Sequence, residues 1–315
     1  MVSAENNNEK NTQELELWER MSTTEGAERA EVLDELSHIA YRRDAFNECL
    51  QLVDTSIDIY FKLGMDSHIK ELIHLYEGKA LSLRNLKRPA ESADTFEEIA
   101  KFYQIDDDAV GYLRAKRAAA CDWYDAREWQ KSLDGHIAAQ VAIDPDATPM
   151  SMGIDLLNIG TAQIKLDLHT EAITTFLSAR KLFKEAKNPE YVNWADQYLA
   201  ITYAALENGP EAKFHAKHHF NYSKVAEDMS MEGFARYRLG IAHLLCQEYE
   251  DAERELVSAL EQLTLDENKD WEEILGANQA LAKALTALGK EEEANIRLER
   301  IATIAETIFG DADAA

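Results

Sequence analysis

The sequence predicts an all-α fold, a solenoid of about seven antiparallel helix pairs with a capping helix at each end. Three observations predict it. Apolar residues recur with a 3.6-residue period. Small residues recur at fixed offsets within each stretch of about 40 residues. No Gly/Ser/Pro-rich linker interrupts the chain, and its five prolines (Pro89, Pro145, Pro149, Pro189, Pro210) lie far apart. These features imply one elongated domain over residues 12–310, preceded by a disordered polar segment at 1–11 and followed by a frayed tail at 311–315.

The elements follow in chain order. Leu15, Leu17, Trp18 and Met21 predict a helix closing the N-terminal end, because a terminal repeat exposes the face its missing neighbour would cover. Ser22 and Glu25 have capping-box spacing ahead of the first long helix. The repeat itself is clearest over 156–183, where an amphipathic helix breaks near Asp167 to His169 and a second helix begins at Thr170, a residue able to N-cap it.

Within that pair Gly160, Ala172 and Ala179 are offset by +12 and +19. Two antiparallel helices approach closely only where side chains are small, and two alanines seven apart share a helix face. The same offsets recur at Ser37/Cys49/Ser56, Ala120/Ser132/Ala139, Ala200/Ala212/His219, Gly240/Ala252/Ala259 and Ala282/Ala294/Ile301. A further unit has Ala93 and Ala100 in register but Leu81 where a small residue belongs, which implies a longer loop around Asn85 to Pro89. The last helix runs from about Lys290 to Phe309 and stops at Gly310.

These residues resemble the tetratricopeptide repeat (TPR). Leu156, Ile159, Gly160, Ala172, Phe176 and Ala179 match its pattern, as do Leu199, Ala200, Tyr203 and Ala212, and Leu239, Gly240, Ala252, Leu256 and Ala259. The spacing is similar to that of the long-unit subclass, and the resemblance covers residues 28–305. It implies a right-handed superhelix and helices longer than the family's usual ones.

Composition narrows the function. Thirty-three basic against 59 acidic residues give a net charge of −26, which disfavours direct nucleic-acid binding and docking on anionic lipid, and favours partners with basic patches. Cys49, Cys121 and Cys246 are far apart with no CxxC, so neither a disulfide framework nor a zinc site is indicated. Met1 to Asn11 lack an apolar core, and no stretch approaches 18 apolar residues, so a cytoplasmic location is expected.

The resemblance also implies a concave face lined by first helices. By that carry-over the peptide- or protein-binding residues are Arg114, Arg117 and Tyr124, then Asn158, Thr161 and Lys165, then Trp194 and Gln197 with Ile201, then Tyr237 with Ile241. Two readings stand for this set. In one, Arg114 and Arg117 form a basic patch beside aromatic anchors for a peptide with acidic and apolar side chains. In the other, the arginines pair with Asp122 and Asp125, and Trp194 is core. His215, His218 and His219 in KFHAKHHF are read as a solvated outer face, with no third metal ligand apparent.

The sequence holds no phosphate loop, GxGxxG, GxSxG or HExxH motif. A non-catalytic scaffold or adaptor without cofactor or metal is therefore expected, its partner another protein or peptide. The alternatives are a peptide-responsive regulator resembling bacterial TPR peptide sensors, and an acidic inhibitor seated on a basic site. The residues before Glu28 are too few for a helix-turn-helix, so a regulator's output would be protein contact.

Overall fold

The computed structural model describes residues 2–141, 147–265 and 269–309. They form fifteen α-helices and one short 3₁₀ turn, with no strand among the described residues. The chain divides into two compact units, Met1–Ala147 and Thr148–Ala315.

In the first unit α1 (Val2–Thr23) packs on α2 (Gly26–Arg42), followed by α3 (Phe46–Leu63), α4 (Ile69–Asn85), α5 (Pro89–Ile105), α6 (Ala109–Asp125) and α7 (Trp129–Val141). In the second, α8 (Pro149–Lys165), α9 (His169–Glu185), α10 (Pro189–Ala205), α11 (Gly209–Ala226), α12 (Met229–Leu245), α13 (Tyr249–Leu265), α14 (Trp271–Ala287) and α15 (Glu291–Phe309) follow one another. Within each unit consecutive helices pack together, giving the seven expected pairs: α2/α3, α4/α5, α6/α7, α8/α9, α10/α11, α12/α13 and α14/α15.

The long unit has a simple cause. Most helices have seventeen residues and most connections have three, so a pair with its two turns occupies forty. Each three-residue turn among the described residues has one residue in the left-handed conformation. Lys87, Asp107 and Arg127 have φ of 58°, 57° and 62°, and Asp167, Lys187, Glu207, Glu227 and Gln247 continue the series at twenty-residue intervals. The next amide closes the helix end: Arg88 N donates to Leu83 O at 2.9 Å, and Glu128 N to Trp123 O at 2.9 Å. This six-to-one bond is the Schellman pattern, usually built on glycine. Non-glycine residues hold it here against a steric cost of about 1 kcal/mol each.

The small residues sit where the helices cross. Ala172 and Ala179 are fully buried, as are Ala252 and Ala259. A Cβ on Gly160 would stand 2.4 Å from the ring of buried Phe176, so only glycine allows that approach. The α4/α5 pair is regular, contrary to expectation. Its connection has the ordinary length, and its register is Ala80/Ser92/Ile99, with Ser92 Oγ donating to Ala80 O at 3.1 Å. Leu81 is simply exposed.

Several local expectations are corrected. The segment 2–11 belongs to α1, where disorder was expected. Ser22 lies within α1 and its hydroxyl donates to Glu19 O, while α2 starts after Glu25 without a side-chain cap. Thr170 lies inside α9, whose N-cap is Leu168. In the N-terminal helix Leu17 is buried and Met21 packs on the same core, whereas Leu15 and Trp18 are exposed. The tail at 311–315 lies outside the described residues. No helix among the described residues is long and apolar enough to cross a membrane.

Candidate functional site

Contacts within the second unit show which face is open. The first helices adjoin one another, α10 against α8 and α12, and α12 against α14, while the second helices make no comparable approach among themselves. First helices therefore line the inner side of this unit.

On α10, Tyr198 stacks on Phe176 and Tyr191 tilts against Phe183, so these tyrosines face α9. Asn193 and Asp196 face α11 through His219 and His215. Glu190, Trp194, Gln197 and Ile201, spaced three and four apart, lie on the remaining open face. Trp194 is 38% exposed, so it is not a core residue. On α8, Asn158 and Thr161 are half-buried and Lys165 is exposed, with Thr161 Oγ1 donating to Asn158 O at 2.8 Å. Tyr237 of α12 is only 8% exposed and packs in the core, with Gly276 of α14 directly under its hydroxyl, so it presents no ring to a ligand.

The other expected residues lie on α6 in the first unit. Arg114 is exposed, donates to Tyr103 OH at 2.5 Å and pairs with Glu77 at 3.3 Å. Arg117 and Tyr124 are half-buried. The acids proposed to neutralise the arginines are used elsewhere in one case: Asp122 is buried, accepting from Arg84 Nε at 2.7 Å and Ser92 Oγ at 2.6 Å. A cavity of about 200 Å³ opens beside Arg114, walled by Leu81, Phe96, Ile99 and Tyr103.

The histidine cluster differs most from its reading as a solvated face. His215 and His219 are buried, and only His218 is exposed. His215 Nδ1 donates to Asp196 Oδ1 at 2.6 Å, the same oxygen that accepts from Arg180 Nε at 2.8 Å. His219 Nδ1 donates to Asn193 Oδ1 at 2.8 Å, and burial lowers its pKa to about 4. Burial, helped by Arg117, likewise lowers His136 in the first unit to about 4.

One feature has no signal in the sequence. A cavity of about 400 Å³ between α9, α10 and α11 is walled by Phe183, Val192 and Tyr222 and flanked by Lys184, Lys187 and His218. Three helices assemble it, and no short motif spans them.

Fold and faces together are those of a TPR-like helical solenoid. Similar solved structures include a signal transduction ATPase with numerous domains and a tetratricopeptide repeat sensor from Pyrococcus horikoshii. It has a TM-score of 0.67 and 14% identity, over 91% of this chain and 43% of that one. This chain thus spans less than half the length of that protein. The apo form of RapI matches with a TM-score of 0.62 and 11% identity, over 88% of this chain and 77% of its own. Aspartyl phosphate phosphatase F from Bacillus subtilis matches with 0.60 and 13%, over 89% and 72%. No family model matches the chain, and no curated protein matches it.

Proposed function

We propose that this chain is a non-catalytic scaffold of the long-unit TPR type that holds a peptide or a segment of another protein on its first-helix face. The observation that carries the reading is Trp194. A large aromatic ring stands exposed on the inner side of the second unit, apart from the residues that α10 turns to α9 and α11, Tyr198 and Asp196. Binding energy in such surfaces concentrates on a few aromatic anchors surrounded by polar groups, here Gln197 and Glu190. The buried titratable residues support a non-catalytic role, since Asp122 and Asp196 are held in fixed pairs inside the helix stack. Charge bears on the partner. Arg114, Lys184 and Lys187 offer acidic side chains a place beside apolar walls, while the net charge of −26 favours an otherwise basic partner.

The test begins with affinity capture from the native host and continues with direct titration of the purified partner. Trp194→Ala is expected to weaken binding by about tenfold or more, corresponding to about 1.4 kcal/mol. Unchanged affinity would remove the first-helix face as the site. Scattering from the complex separates a passive scaffold from a peptide-responsive regulator, which would change its dimensions on binding.

A further inference from the structure

A second constellation, independent of the reading above, lies wholly within the first unit. Asp34 and His38 stand one turn apart on α2, and His74 projects from α4. One donor atom from each of the three lies within 4.8 Å of the other two. His74 Nε2 is 3.3 Å from Asp34 Oδ2, and His38 Nδ1 is 3.5 Å from Asp34 Oδ1. These separations match the edge of a tetrahedron with metal bonds of about 2.0–2.1 Å. His38 Nδ1 also lies 2.8 Å from the Asp34 carbonyl and donates to it while no metal is bound, so ligation through Nδ1 moves that proton to Nε2 and gives up this bond.

We propose that Asp34, His38 and His74 form a binding site for a borderline divalent transition-metal ion such as Zn²⁺, which clamps α2 to α4. Two imidazoles with one carboxylate suit zinc over calcium or magnesium, which take oxygen ligands. The three residues share a cavity of about 220 Å³ with Glu77 and Cys49, so the space is concave and lined with further donors. Comparison with His243, Glu248 and Asp251, the other such group among the described residues, sharpens the assignment. There Lys213 Nζ sits 2.6 Å from Glu248 and already supplies the cation. Among the described residues Asp34 ion-pairs with the two histidines and with no lysine or arginine. The imidazole rings stack at 5.3 Å between centroids, so ligation requires one ring to turn. Both side chains are more than half exposed and have room to do so.

The experiment titrates the full chain with Zn²⁺ by calorimetry and with Co²⁺ by visible absorption. The expected result is one saturable equivalent, a tetrahedral Co²⁺ spectrum, and affinity reduced about tenfold or more in His38→Ala and in His74→Ala. His218→Ala, on an exposed histidine of the other unit, is expected to bind as the parent does. Zinc should also raise the melting temperature of the parent and not that of the double variant. Absence of a saturable equivalent overturns the proposal. So does uptake that the double variant retains, because it would come from scattered surface carboxylates.

Discussion

The two units space their first helices by different means. In the first unit α2, α4 and α6 approach one another less closely than the first helices of the second unit and are bridged by long side chains: His74 to Asp34, Asn85 to Tyr41 at 3.0 Å, Arg114 to Glu77, and Arg84 to Asp122. In the second unit α8, α10, α12 and α14 come together directly, helped by Gly276 under Tyr237. One repeat thus tolerates two solutions, polar bridging and removal of a side chain. The first should respond more to loss of a bridging charge, the second more to added volume.

The largest expected effect tests the volume side. Ala172→Phe, at a fully buried crossing, should cost about 3 kcal/mol or more in denaturant unfolding, whereas Lys181→Phe, on a largely exposed side chain, should change stability by less than about 0.5 kcal/mol. Equal effects would break the close-packing account. Next in size is the polar side. Arg84→Met leaves the Asp122 carboxylate buried with only Ser92 as partner, and should destabilise by about 3 kcal/mol. A neutral result would mean that the bridge adds nothing to the first unit.

Acid should act on both units. His136 and His219 are neutral in the fold with pKa values of about 4, below the usual histidine value of 6.5. Between those values the unfolded chain binds the extra proton, so stability falls as pH drops below about 6.5 and continues to fall to about 4. At pH 5 the loss should be about 2 kcal/mol per histidine relative to pH 7.5. His136→Leu should remove the share belonging to the first unit in paired melts at the two pH values, and an unaltered difference would refute that assignment. The smallest effect separates two glycines. Gly78→Ala has open space and should stabilise by about 1 kcal/mol through helix propensity, while Gly160→Ala must displace Phe176 and should give no such gain.

The helix pairs were legible in the sequence because absent side chains leave a regular mark, as at Gly160, Ala172 and Ala179. Register failed at the α4/α5 pair for a physical reason. Ser92 serves as the small residue by folding its hydroxyl onto Ala80 O, and Ile99 occupies the third position, which tolerates bulk as it does at His219. Helix ends were obscure because the left-handed turn residues are Asp, Lys, Arg, Glu and Gln, none of which marks a C-cap as glycine does. KFHAKHHF reads as solvated because the partners that bury it, Asp196 and Asn193, lie on the preceding helix. The resemblance put Trp194 and Tyr237 on one face alike, and only the packing of α14 shows that the Tyr237 ring is covered while Trp194 is exposed.

The twenty-residue beat of helix and turn bears on how the molecule comes into being. Almost every helix rests on the one made just before it, so few interactions must wait for distant chain. Closing short loops carries little entropic penalty and allows rapid assembly. A nascent chain leaving the ribosome can dock each new hairpin on the last, so that a newly made face waits only for the hairpin that follows it.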